Sequence, residues 1–199
     1  MRGKLIAVAA ALALISAGEA QAQTVGTPVF MAPYRAFTKY EFGGYISDPG
    51  GADWALEGFY RYGWNKNDVG FRLGVADDGN NTLFLAGADF RSRLISHSNS
   101  FPLDGALTLG LGGAFGDGSV VYIPVGFSLG RRVNLENSKV SFVPYVQPTL
   151  TPAFGSGDSD VLFTLGLGAD IKVAPQLDIR LTAGVGDQDG IGIGLSYLH

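Results

Sequence analysis

The sequence of 199 residues contains no cysteine and only two histidines. Without cysteine the chain can form neither a disulfide framework nor a thiolate metal site, and it cannot carry the lipid-modified cysteine of a lipoprotein. His97 stands in a serine-rich turn and His199 ends the chain. A histidine acting as general base beside a serine needs a third group to orient it. We therefore interpret His97 as an exposed turn residue and predict no catalytic site, no metal site and no cofactor.

Long hydrophobic runs are also scarce. The one run of note, residues 5–15, follows the basic residues Arg2 and Lys4 and precedes the small residues Ala20 and Ala22. This order is typical of a Sec signal peptide, which we place at residues 1–22. A membrane-spanning helix needs about 20 apolar residues, so an uncleaved anchor is the weaker interpretation. Every later apolar run is interrupted at the period of a β-strand.

The chain also has no excess of basic residues. Removal of residues 1–22 takes away Arg2, Lys4 and Glu19 and leaves 12 basic and 17 acidic residues, a net charge of −5. A nucleic-acid partner would require a basic patch, so this balance argues against one.

Strict alternation of apolar and polar residues is abundant, and residues 161–185 show it best. Two strands with one apolar and one polar face are predicted there, joined by a turn at residues 174–176. If Val173 lies opposite Leu177, then Lys172 falls opposite Asp178 and Asp170 opposite Arg180. These would be complementary cross-strand charge pairs.

The same pattern recurs through the chain and predicts an all-β fold. We expect a lead-in at residues 23–35 and one barrel domain at residues 36–199, with about ten strands in an up-and-down antiparallel meander and eight strands as the other possibility. The predicted strands are Ala36–Ile46, Asp53–Trp64, Val69–Ala76, Thr82–Leu94, Leu103–Phe115, Val120–Arg132, Lys139–Thr151, Asp160–Val173, Leu177–Val185 and Ile191–Leu198. Pro124, Pro144 and Pro148 fall inside these strands, where they would mark bulges or a misplaced strand.

Two barrels fit this pattern. A soluble, lipocalin-like barrel would turn the apolar face inward and bind an apolar ligand. A transmembrane β-barrel would turn that face to lipid, and three features favour it. Glycine in nearly every strand relieves crowding in a narrow lumen, and strands of about 9–11 residues match a tilted transmembrane strand. Aromatic residues also collect at two expected rims, as an interfacial girdle requires. The first rim comprises Phe37, Tyr40, Tyr62, Trp64, Phe101, Phe142 and Tyr197, and the second comprises Tyr45, Trp54, Phe84, Phe115, Tyr122 and Phe163.

The chain as a whole resembles the small bacterial outer-membrane β-barrel proteins. Their C-terminal assembly signal is a glycine followed by apolar or aromatic positions and a terminal aromatic residue. Here Gly194 and Tyr197 match it, and His199 replaces the terminal aromatic residue. The resemblance implies export by the Sec pathway to the outer membrane of a Gram-negative bacterium. It also implies a monomer whose partners are outer-membrane lipid, lipopolysaccharide and the barrel-assembly machinery.

The polar face of the strands supplies the candidate site. We predict a lumen charge network of Lys39, Glu41, Glu57, Arg61, Arg72, Asp89, Arg91, Asp104, Asp170, Lys172, Asp178 and Arg180. Basic and acidic residues are nearly balanced, whereas a selective pore is expected to carry a ring of one sign. The expected function is a structural or adhesive barrel or a narrow channel. A lipid-modifying enzyme would need His97.

The turns placed outside by strand parity carry aspartates and no lysine or arginine. These are Asp48, Asp53, Asp77, Asp78, Asp117, Asp158, Asp187 and Asp189. Divalent cations could bind such oxygen groups at the lipopolysaccharide surface. Aspartate also favours tight turns regardless of its charge, and we prefer this second interpretation.

Overall fold

A computed structural model describes residues 30–116, 118–135, 138, 140–155 and 159–199. The predicted signal peptide, residues 23–29 of the lead-in, Asp117 and Asp158 lie outside these residues. Twelve strand segments are present: β1 Tyr40–Pro49, β2 Trp54–Trp64, β3 Asn67–Asp77, β4 Thr82–Ile95, β5 Asp104–Phe115, β6 Val120–Tyr122, β7 Val125–Gly130, β8 Val133–Asn134, β9 Ser141–Phe154, β10 Ser159–Ala174, β11 Leu177–Gly186 and β12 Gly190–Leu198.

The strands close into one antiparallel barrel. Neighbours in sequence pair with each other around the sheet, and β1 pairs with β12 to complete the ring. Segments β6 and β7 are two halves of one wall strand between β5 and β9, while β8 adds a short pairing to β9. The wall therefore has ten strands, which confirms the predicted up-and-down barrel and the count of ten over eight. Within the described ranges, no helix is long and apolar enough to cross a membrane.

The prolines act differently from the prediction. The single strand predicted at residues 120–132 is broken at Pro124, because proline lacks the N–H that a continuous ladder needs. Pro144 and Pro148 lie in β9, where the register with β10 runs without a break. No bulge marks these two prolines on that side. The first strand also differs, since it begins at Tyr40 and not at residue 36.

The apolar face of the wall points outward. Val161 and Leu195 expose 62% and 53% of their surface, and Phe71, Leu73, Leu111 and Ile193 expose half or more. The alternating positions are turned inward and are polar: Glu41, Thr164 and Ser196 are fully buried. A water-soluble barrel that encloses an apolar ligand requires the opposite arrangement, so that alternative is wrong.

The hairpin of β10 and β11 shows how the register is set. Asp170 lies opposite Arg180 and Lys172 opposite Asp178, as predicted. The pairing of Val173 with Leu177 is wrong, because Ala174 takes that place and the register shifts between Lys172 and Ala174. The irregularity accommodates one extra residue next to the tight turn.

The barrel has two rims. The proximal rim carries the start of β1, the end of β12, the short strand β8 and the connections at residues 65–66, 96–103, 131–132 and 175–176; the distal rim carries the turns that follow β1, β3, β5, β9 and β11. Exposed aromatic side chains lie at both rims: Tyr62, Trp64, Phe101 and Tyr197 are proximal, and Trp54, Phe84, Phe115 and Phe163 are distal. Three residues predicted at the rims do not belong to the exposed aromatic girdles. Phe37 and Tyr122 are buried, and Tyr45 points inward against Phe59 and Gly194.

Candidate functional site

The centre of the barrel holds a continuous chain of ion pairs. Glu41 stands in its middle, where one carboxylate oxygen accepts a hydrogen bond from Arg180 and the other lies 3.6 Å from Nε of Arg61. Glu41 is on β1, Arg61 on β2 and Arg180 on β11. Alternation places all three on the inner face, so the side chains meet across the lumen.

From Glu41 the chain of charges runs in two directions. Arg61 pairs with Asp68 and Asp89, and Nε of Arg91 lies 2.9 Å from Asp68. On the other side, Nε of Arg180 lies 3.4 Å from Asp178 and 3.9 Å from Asp170.

We call these eight residues the central network: Glu41, Arg61, Asp68, Asp89, Arg91, Asp170, Asp178 and Arg180. It joins six wall strands, β1 to β4 together with β10 and β11. Five carboxylates and three guanidinium groups take part, so the near balance expected from the sequence does not hold at the centre. Paired charges are the form in which charge is tolerated in a protein interior, because an unpaired buried charge is very costly.

The sequence prediction omitted Asp68, which links Arg61 to Arg91 and is 2% exposed. Residues 65–68 look like a turn cluster, and the prediction started the strand at Val69. The structure starts β3 at Asn67 and pairs Asp68 with Arg91 in the ladder of β3 and β4. Asp68 is an even number of residues from Arg72 and so lies on the same face of the strand as this predicted lumen residue. That spacing could have placed Asp68 inside.

The other predicted network residues lie apart from this centre. Glu57 and Arg72 form a separate inward pair at 3.2 Å. Asp104 bonds the ring and the backbone N–H of His97 at the proximal rim, where half of the His97 side chain is exposed. Lys39 is exposed and precedes β1, so it is not a lumen residue. Lys172 is half-buried opposite Asp178 but makes no ion pair among the described residues.

The largest departure from the sequence prediction is the lead-in, which enters the lumen. Phe30, Met31 and Ala32 are buried inside the barrel. The Met31 N–H donates to Oε1 of Gln147 at 2.9 Å, and its carbonyl accepts from the Ser128 hydroxyl. We call residues 30–33 the plug segment.

Two further wall side chains hold the plug segment. The Tyr145 hydroxyl donates to the Phe30 carbonyl at 3.1 Å, and Nη1 of Arg91 donates to the Ala32 carbonyl at 2.7 Å. Backbone groups of an irregular segment need such partners when they are removed from water. The plug segment is thus bonded to β4, β7 and β9, and Arg91 couples it to the central network.

Two glycines make room for the Phe30 ring. A Cβ atom at Gly166 would lie 2.1 Å from that ring, and one at Gly184 would lie 3.3 Å from it. The glycine-rich inner face that the sequence shows is here a cradle for a side chain. The sequence alone does not show which wall residues the lead-in contacts. The apolar pair Phe30 and Met31 was the one indication that the lead-in is buried.

Gln188 narrows the distal end of the lumen. The turn between β11 and β12 folds into the barrel, where Gln188 is 1% exposed and its N–H donates to Thr164. Gly186 and Gly190 flank this turn with φ of 125° and 138°, values that favour glycine. Between Gln188 and the pair of Glu57 and Arg72, the described residues leave a space of about 20 Å³. A water molecule needs roughly 10–15 Å³, so the space holds one or two waters.

The distal aspartates act as acceptors for turn backbones. Asp77 accepts from the Gly79 N–H, and Asp78 accepts from those of Asn80 and Asn81 at 2.9 and 2.7 Å. These N–H groups hold the pKa of the Asp78 carboxyl below its usual value. In the part of the chain that the structure describes, no group of three or more His, Asp or Glu side chains could hold a metal ion.

The predicted assembly signal lies at the proximal end of β12. Gly194 faces inward, and a Cβ atom there would lie 2.5 Å from the Tyr45 ring. Tyr197 faces outward beside Phe42, with ring centres 5.3 Å apart. The His199 ring stacks on Tyr40 at 4.5 Å, and its backbone bonds to Tyr40 in both directions.

Comparison with known proteins gives one family. The model of the outer membrane protein beta-barrel domain matches residues 7–197. No curated protein matches the chain by sequence.

Several solved structures are similar to the barrel. The beta domain of the Bordetella autotransporter BrkA is 11% identical, with 81% of this chain and 100% of that one covered and a TM-score of 0.48. Omp33, an outer membrane protein of Acinetobacter baumannii, is 9% identical, with 82% and 99% covered and a TM-score of 0.40. A bacterial polysaccharide outer membrane secretin is 12% identical at a TM-score of 0.46, with 81% of this chain covered; the chain spans 65% of its length.

Proposed function

We propose that this chain, which belongs to the outer membrane protein beta-barrel domain family, is a closed, plugged barrel with a structural role in the outer membrane. Its lumen conducts nothing in the resting state. The observation that carries the proposal is the plug segment, which fills the lumen and bonds to three wall strands through Gln147, Ser128, Tyr145 and Arg91.

The contacts of the plug segment allow an estimate of the free energy needed to displace it from the lumen. Four hydrogen bonds contribute about 0.5–1.5 kcal/mol each, and burial of Phe30 contributes about 2 kcal/mol. Displacement therefore costs roughly 4–8 kcal/mol, and at about 1.4 kcal/mol per factor of ten the open fraction is below about one in a thousand. A barrel with this plug is a poor pore.

The distal turns support a structural role over an adhesive one. The five connections at that rim leave no more than four residues between strands. Adhesion through surface loops would need longer extracellular loops, which many barrels of this kind possess. We extend the proposal to the absence of catalysis, because Asp104 bonds the His97 ring but, among the described residues, no serine hydroxyl is hydrogen-bonded to it.

The proposal also covers the export, the oligomeric state and the partners of the barrel. The chain is exported by the Sec pathway of a Gram-negative bacterium and is a monomer. Its outward apolar face contacts outer-membrane lipid and lipopolysaccharide, and the assembly machinery recognises the end of β12 that carries Gly194, Tyr197 and His199. The proximal rim faces the periplasm.

Planar-bilayer recording tests the proposal. The chain without residues 1–22 is compared with a variant that also lacks residues 23–33, and heat-modifiable migration on unboiled gels checks that both are folded. We expect no steady conductance from the longer chain and discrete conductance steps from the truncated variant. Steady conductance from the longer chain would contradict the proposal.

A further inference from the structure

The proximal rim holds a partly open cavity of about 570 Å³. Tyr34, Arg35 and Phe37 of the lead-in line it together with side chains of the proximal turns. We call it the proximal pocket. Its volume lies within the range of about 300–1,000 Å³ that is usual for small-molecule sites.

The lining of the proximal pocket is strongly cationic. It contains Arg35, Lys66, Arg91, Arg93, Arg131 and Arg132, against the two carboxylates of Asp68 and Asp104. The pocket thus has an excess of four positive charges in a chain whose formal net charge is −4. Positive charge is concentrated here and is not a general property of the surface.

Both carboxylates of the pocket are already engaged. Asp68 is shared by Arg61 and Arg91, and Asp104 bonds His97. Of the six cations, Arg91 alone is paired with a carboxylate within the described residues. The other five leave their charge available to a ligand.

Several of these guanidinium groups are held in place by groups that do not neutralise them. Nη1 of Arg35 donates to the Asn67 carbonyl at 2.6 Å, and Nη1 of Arg131 donates to the Pro102 carbonyl at 3.4 Å. Arg132 lies over the Tyr34 ring, with its central carbon 4.8 Å from the ring centre. Guanidinium groups fixed in this way keep free N–H donors, and their planar fork matches the oxygens of a phosphate.

The loops of the barrel are also distributed in an unusual way. Barrels of this kind generally have short turns at the periplasmic rim and longer loops at the outer rim. Here residues 96–103 and the link from β7 to β8 lie at the proximal rim and contribute His97, Arg131 and Arg132 to the pocket, and the distal turns are shorter than residues 96–103. The rim with the longer connections is therefore also the rim that carries the cations.

We propose that the proximal pocket is a binding site for a phosphate group carried by a small molecule or by a lipid headgroup. Arg93 and Arg132 contact the phosphate oxygens, and Arg91 fixes the inner end of the site through its bonds to Asp68 and Ala32. A free phosphate ester of the periplasm and an anionic phospholipid of the inner leaflet share this chemistry.

Calorimetric titration with inorganic pyrophosphate tests the proposal. The chain without residues 1–22 is held in maltoside micelles, which contain no phosphate, at low ionic strength. The test variant is the double substitution Arg93→Gln and Arg132→Gln. The matched control is Lys39→Gln and Lys172→Gln, which removes the same charge from the same rim outside the pocket.

We expect saturable binding that weakens at least about tenfold in the test variant, because two charge-assisted hydrogen-bond groups are lost, and less than about twofold in the control. Absence of binding by the unsubstituted chain would overturn the proposal. Equal weakening in both double variants would also overturn it, because it would indicate diffuse attraction to the rim.

A second arm identifies the source of the phosphate group. Phosphatidylglycerol is added to the micelles and the titration is repeated. If the added lipid weakens pyrophosphate binding in the unsubstituted chain and not in the test variant, the pocket takes a lipid headgroup. If pyrophosphate binding is unchanged, it takes a soluble phosphate ester.

Discussion

The substitution Arg61→Met is the most stringent test of the central network. Arg61 is nearly fully buried and lies between Glu41, Asp68 and Asp89. Methionine retains much of the aliphatic volume but removes the cation. Asp68 keeps Arg91 as a partner and Glu41 keeps Arg180, whereas Asp89 loses the one cation that pairs with it in the described residues.

The expected loss of stability follows from the carboxylate of Asp89, which is left without a partner. Removing one partner of a buried ion pair costs about 3–5 kcal/mol, because the remaining charge is left without compensation. We therefore expect Arg61→Met to lower the free energy of unfolding by about 3–5 kcal/mol. Adding Asp89→Asn should recover part of this loss, with a coupling energy of roughly 1–3 kcal/mol, since contacting residues are not additive.

Urea titration of the protein in lipid vesicles, followed by tryptophan fluorescence, measures these values. Lys39→Met is the control, and we expect it to change stability by less than about 0.5 kcal/mol because Lys39 is exposed. A loss below about 1 kcal/mol for Arg61→Met would refute the reasoning, since it would mean that water compensates the carboxylates.

Three further predictions concern the plug segment, the lipid face and a distal turn. Gly166→Ala should destabilise the protein and raise proteolysis of the lead-in, because the new Cβ meets the Phe30 ring; in a Phe30→Ala background the same substitution should cost less stability, and an equal cost in both backgrounds would contradict the packing. Leu195→Arg, near the middle of β12, should cost about 2–4 kcal/mol in vesicles and much less in detergent, where an equal cost would speak against lipid contact. Because the folded turn lowers the pKa of Asp78, the ionised carboxylate stabilises the turn above the unfolded pKa of about 4, and this stabilisation is lost as pH falls through the lower pKa of the folded state. The protection factor of the Asn80 amide against hydrogen exchange should therefore fall at low pH in the unsubstituted chain and lose this pH dependence in Asp78→Asn.

Much of the wall could be predicted from the sequence because alternation at period two is a local signal. It gave the ten strands and the facing positions of Asp170 and Arg180, whereas the outward direction of the apolar face was favoured by the glycines, the strand lengths and the aromatic rims. Inside and outside follow from parity once one strand is assigned, since a shift of one residue would turn every side chain to the wrong face. Errors in the wall arose at strand ends, where Asp68 and Lys39 were placed on the wrong side of a boundary.

The content of the lumen could not be predicted in the same way. The plug segment has no repeating pattern, and its partners Gln147 and Tyr145 are more than a hundred residues away in sequence. The proximal pocket likewise draws its cations from four separate stretches of chain. Only the closed barrel brings them together, so no local spacing identifies them.

Cysteine labelling at the plug segment tests the central claim, a lumen closed by the chain's own lead-in, most directly. Because the chain contains no cysteine, Met31→Cys introduces a single thiol at a buried position, and Thr38→Cys places one at the exposed proximal rim. The folded barrel in vesicles is treated with a water-soluble maleimide and compared with the protein unfolded in urea. We predict rapid labelling of Thr38→Cys, negligible labelling of folded Met31→Cys and complete labelling of both after unfolding. Rapid labelling of Met31→Cys in the folded barrel would contradict the account.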